Sequence, residues 1–91
     1  MDDAVTPLLP RCRDRFDDRC ALMIEVTFET LRSDPELRLC EGLRLIEATR
    51  AAVLRLAPAT ADDFELHFLP LLRRTLMERF GVAELPSFCV N

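Results

Sequence analysis

Arg38, Glu41, Arg44, Glu47 and Arg50 alternate in sign at every third position. On an exposed helix, neighbours at that spacing attract by about 0.2–0.5 kcal/mol per pair. A three-residue step falls about 60° short of a full turn, so the series winds around the rod. Arg38, Glu41 and Arg44 read as a solvated ladder. The last two members leave the polar side. Arg50 falls between Ile46 and Val53, and Glu47 among Cys40, Leu43, Ala51 and Leu54. A charge buried there needs a partner. Two readings follow. Glu47 and Arg50 pair with each other while the stem of Arg50 lies on the core, or they form a polar ligand or partner site between helices.

A second charged stripe holds Asp63, His67, Arg74 and Glu78, with Pro70 among them. Asp63 and His67 are four apart and offer two ligands to one metal. The di-iron bundle pattern needs Glu-x-x-His on two helices, and this chain has one histidine and no such motif. A solvated face is the expectation, with no metal and no cofactor.

Four cysteines are scattered without a C-x-x-C pair. Cys20 and Cys40 fall on or beside apolar stripes and read as small, free core thiols. Cys12, whose thiolate Arg11 and Arg13 on either side would favour, and Cys89 in the tail are the candidate reactive thiols. No Ser-His-Asp, Cys-His or glycine-rich phosphate arrangement is visible. The chain is expected not to be an enzyme.

The elements that position these residues are helices. Phe16, Cys20, Met23, Thr27 and Leu31, with Ile24 and Phe28 beside them, predict a helix over 14–32, capped by Asp14. Leu22 and Val26 form a small second strip on it. Ser33-Asp34-Pro35 predicts a restart with proline in the first turn. The second helix is expected over 35–57, with Leu39, Leu43, Ile46, Val53 and Ala57 as its stripe. Gly42 inside that arc allows close helix approach. Thr60 and Asp63 resemble a capping box, and the third helix is expected over 61–80, stopped by Gly81. Pro70 predicts a kink or break in it. Phe64, Phe68, Leu71 and Thr75 form one face of it, and Leu66, Leu69, Leu76, Met77 and Phe80 make much of the other side apolar too. Residues 1–13 and 82–91 are expected to be irregular.

These observations predict a single all-α domain of 91 residues, an up-down-up three-helix bundle. The chain is 49% hydrophobic. Leu45, Ala52 and Leu56, with Leu66, Leu69 and Met77, exceed what one broad stripe per helix requires. The surplus predicts a homodimer.

The net charge of −4 argues against nucleic acid and anionic membrane as partners. All twelve Lys+Arg positions are arginine, a pattern expected of a GC-rich bacterial gene. No segment reads as a targeting signal, and the expected location is cytoplasmic. The leading functional expectation is a non-catalytic adaptor or regulatory module that binds itself and another protein. A small-molecule or metal-binding module using Glu47 and Arg50 or Asp63 and His67 is the alternative. A thiol redox protein is the third reading.

Overall fold

The computed structural model describes residues 16–85. Helix α1 spans Asp18–Ser33 and α2 spans Leu39–Leu56. A 3-10 turn, Pro58–Thr60, leads into the short α3, Ala61–Asp63. A π-helical turn, Phe64–Phe68, joins α3 to α4, Leu69–Phe80. The result is three helices, the third being the run 61–80 broken at the π turn. No strand occurs among the described residues.

Contacts along the rods give their directions. Gly42 faces Leu76 while Arg50 reaches Glu65, so α2 runs against the third helix. The Phe16 and Phe68 rings meet edge-on at 5.2 Å, and Arg79 reaches the Leu31 carbonyl, so α1 runs with it.

Local chemistry sets the helix ends. The Asp17 carboxylate accepts from the Cys20 backbone N–H at 2.9 Å and caps α1. The cap is Asp17 and not the expected Asp14, which lies outside the described residues. α2 starts at Leu39, four residues after the expected start at Pro35. The intervening residues form a turn in which the Asp34 carboxylate accepts from Glu36 N–H and the Asp34 carbonyl accepts from Leu37 N–H. Glu41 then reaches back to the Arg38 N–H at 3.0 Å and closes the first turn. Thr60 does not act as the expected capping acceptor. Its hydroxyl donates to the Ala57 carbonyl, one of the groups that α2 leaves without a helical partner. Gly81 ends α4 as expected, at φ 65, with Val82 N–H donating to the Met77 carbonyl. The described tail residues, 82–85, are not helical.

The core is built on Cys20, Ile24 and Leu31 from α1, Ile46 and Val53 from α2, and Phe64, Phe68, Leu72 and Leu76 from the third helix. Full burial of each large aliphatic or aromatic side chain contributes about 1.5–3 kcal/mol. The face of α2 that turns inward is Gly42, Ile46, Thr49 and Val53. Thr49 thus takes the place in the stripe that the sequence gives to Arg50. It is admitted because its hydroxyl lies 2.7 Å from that of Thr27, both buried, and each also reaches the carbonyl four residues back.

The third helix departs from its expected face for a geometric reason. Phe64, Phe68, Leu72 and Leu76 are all buried at four-residue spacing. On a regular helix that spacing drifts by about 120° over twelve residues. The π turn adds one residue and takes back about 100° of rotation. The four side chains therefore stay on one face, and the expected Leu71 and Thr75 are only half-buried. The wide turn, closed by Leu69 N–H donating to the Phe64 carbonyl, comes directly before Pro70. A proline ring there would collide with the Leu66 carbonyl of a regular helix.

Candidate functional site

An open groove of about 400 Å³ lies between the C-terminal half of α2 and the start of the third helix. Val53 and Phe64, both fully buried, form its floor. Ala51 and Ala61 keep it deep because they have little side chain. Leu54 lines it and is 59% exposed. Its polar lining is Glu47, Arg50, Asp62 and Glu65.

Arg50 organises this lining. Its Nε donates to Glu65 Oε2 at 2.6 Å and its Nη2 donates to Oε1 at 3.1 Å, a two-bonded fork between α2 and the π turn. Its Nη1 reaches Glu47 Oε1 at 3.4 Å, and the other Glu47 oxygen lies 3.7 Å from Arg73. The Glu65 hydrogen bond, and then its charge, raise the Arg50 pKa above its ordinary value and keep the guanidinium charged. The side chains of Arg50 and Glu47 are 43% and 56% exposed. The pair that the sequence places on apolar arcs therefore sits at the groove's margin, in contact with water. Thr49 occupies the core arc beside it.

Glu65 is the residue that sequence reasoning missed. It stands fifteen residues from Arg50, and nothing in the pattern of α2 points across that gap. It belongs to the first turn of the π segment, which turns Phe64 inward and leaves Glu65 beside the groove.

The second charged stripe resolves into two separate pairs. His67 Nε2 lies 3.7 Å from Asp63 Oδ1, and Arg74 Nε lies 3.7 Å from Glu78 Oε2. Among the described residues no group of three or more His, Cys, Asp or Glu side chains is placed to hold a metal ion.

Cys20 is a free thiol at zero exposure. Burial pushes its pKa up, and the Asp17 charge adds to the effect. Cys40 is not the free core thiol expected from its stripe. It is half-buried and disulfide-bonded. The disulfide at Cys40 does not fit the expectation of free thiols throughout, and a buried free thiol at Cys20 does not indicate a compartment. Cys12 and Cys89 lie outside the described residues.

Of the six residues expected to be surplus, Leu69 is buried and Leu45, Ala52 and Met77 are half-buried, whereas Leu56 and Leu66 are exposed. Leu66, next to Glu65, is 70% exposed. Leu22 and Val26 remain exposed on α1. No helix among the described residues is long and apolar enough to cross a membrane. No protein-family model, curated protein or solved structure matches the chain.

Proposed function

We infer that the protein is a non-catalytic helical interaction module that associates with itself and docks a partner protein. One observation carries the self-association. Leu22 and Val26 lie one turn apart on α1, and each is 55% exposed. Scattered exposed leucines are ordinary, but these two form a strip, and exposed Arg19 and Glu29 continue it at either end. The spacing 19, 22, 26, 29 keeps all four on one face.

Two copies of α1 laid antiparallel about a two-fold axis bring Arg19 of each against Glu29 of the other. The apolar pair is covered between them, as a self-complementary interface requires. Within its own helix Glu29 accepts from Arg32 at 2.9 Å and from Ser33 at 3.2 Å, and it would share these contacts with Arg19 of the other copy.

Light scattering of the full chain tests the reading. A dimer at tens of micromolar is expected, and Leu22→Asp with Val26→Asp gives a monomer. Arg19→Glu weakens the dimer, and adding Glu29→Arg restores it. A wild-type monomer at that concentration refutes self-association. A charge swap without rescue refutes the antiparallel arrangement.

A further inference from the structure

We propose that the groove between α2 and the third helix is the docking site for a basic amphipathic helical segment of another protein. The inference rests on the reading of this chain as an interaction module, but not on the α1 face or on self-association.

The shape argues for a helix and not an enclosed metabolite. Two helical walls and a floor line the groove, while Ala51, Leu54 and Asp62 along it remain exposed. Small-molecule sites bury most of their ligand's surface, and an open trough does not. An amphipathic helix lays one apolar stripe into such a groove and leaves its other side in water. The side chain it would cover is Leu54, above a floor of Val53 and Phe64.

The charge argues for a basic segment. Three carboxylates, Glu47, Asp62 and Glu65, face one guanidinium, Arg50, along the lining, and Arg73 lies beyond it at 3.7 Å from Glu47, so the rim stays net negative. Arg50 is committed to Glu65 by its short fork. Glu47 is held only at 3.4 and 3.7 Å, so it has room for a closer cation. Asp62 forms no ion pair among the described residues. Glu47 belongs to one wall and Asp62 to the other, so lysines or arginines on both flanks of an inserted apolar stripe would each meet a carboxylate. A second copy of this chain, at net charge −4, is a poorer match for that rim.

The probe is a fluorescein-labelled amphipathic peptide, with leucine along one helical face and lysine along the other. A version with glutamate for lysine serves as its control. Fluorescence anisotropy on the full chain is expected to show saturable binding of the lysine peptide, weakened by salt, and no binding of the glutamate peptide. Leu54→Asn, and separately Glu47→Gln with Asp62→Asn, each weaken binding about tenfold. Glu36→Gln with Glu84→Gln removes the same net charge elsewhere and changes binding by less than about twofold.

Three results overturn the proposal: no binding of the lysine peptide, equal loss in the two charge variants, or no effect of Leu54→Asn. Light scattering on the same samples separates the alternative occupant. If a second copy fills the groove, Leu54→Asn dissociates a dimer and the peptide does not bind. If only the α1 reading fails, the chain is a monomer that still binds the peptide through the groove.

Discussion

Leu76 fills the space that a side chain at Gly42 would need: a Cβ placed on Gly42 would lie 2.5 Å from Leu76 Cδ1 and 3.3 Å from its Cγ. Leu76 is fully buried, so its methyl groups would have to shift within the core to admit that Cβ. Replacing Gly42 with alanine gains about 1 kcal/mol of helix propensity. Overpacking costs about 1–3 kcal/mol. The net expectation is a loss of about 1 kcal/mol by chemical denaturation, and a larger loss for Gly42→Val. Leu76→Val in the Gly42→Ala background recovers part of it. A stabilised Gly42→Ala protein would show that α2 and α4 separate freely at this point.

Arg50 and Glu65 are coupled more strongly than Arg50 and Glu47, because the first pair is a short fork and the second a single long contact. All three side chains are more than a third exposed. A double-mutant cycle on thermal stability is expected to give a coupling of about 0.5–1 kcal/mol for Arg50 with Glu65. For Arg50 with Glu47 the expectation is about 0.3 kcal/mol. Arg50→Ala alone costs no more than about 1 kcal/mol. A loss of about 3–5 kcal/mol is the mark of a buried, orphaned partner and would contradict this geometry.

Arg79 ties the turn between α1 and α2 to the end of α4. Its guanidinium donates to the Leu31 carbonyl at 2.9 Å and to the Asp34 carbonyl. Arg79→Ala leaves both carbonyls without that donor and is expected to cost about 1–3 kcal/mol. Hydrogen exchange at residues 34–38 should quicken more than exchange in the middle of α1. Arg79→Lys restores only part of the loss, because a single ammonium does not present the guanidinium's fork.

Cys20 sets an alkaline limit on stability. Burial raises its folded-state pKa, so the unfolded chain gives up this proton first as pH rises. The stabilisation is whole below the unfolded thiol value of about 8.5 and is lost progressively above it, through the folded value. The sequence has no lysine and no tyrosine, so its side chains include no other type that ordinarily ionises in that range. Denaturant midpoints measured from about pH 7 to 10 should fall, and Cys20→Ala should flatten the slope. Alkylation of Cys20 in the native protein should proceed only as fast as the core opens.

The rods were legible in the sequence because their stripes are local. α1 gave its face from Phe16, Cys20, Thr27 and Leu31 with Ile24 and Phe28 beside them, all buried, while Met23 of the same stripe is half-buried, and Gly81 gave the end of the third helix. Two things were not legible. The rotation of α2 depends on Leu76 seating against Gly42 and on Thr49 meeting Thr27, contacts 34 and 22 residues apart. The sequence of α2 by itself equally allows Arg50 in the stripe. The phase of the third helix depends on the π turn. Pro70 announced a disturbance but not that it would take the form of one added residue, which is why Leu71 and Thr75 were expected where Leu72 and Leu76 stand. The groove followed the same limit. Glu47 and Arg50 were visible, and Glu65 was not, because its role exists only once the turn has folded.

The threonine pair between α1 and α2 contains a shortage of protons. Thr27 and Thr49 have one hydroxyl hydrogen each, yet three oxygen contacts are available to them: the Met23 carbonyl, the Leu45 carbonyl and one another. Two hydrogens cannot serve three contacts at once. At any instant one hydroxyl donates to its own helix and the other donates across, and exchanging those roles leaves every heavy atom in place. The junction is thus a two-fold degenerate arrangement with a small entropy of its own, so neither helix is the fixed donor. Removing one hydroxyl collapses that degeneracy but orphans nothing, since the survivor still reaches its own carbonyl. Thr27→Val or Thr49→Val is therefore expected to cost less than about 1 kcal/mol, and the double change to be near neutral. The polar seam in the middle of this apolar core is one that the fold can close over without loss.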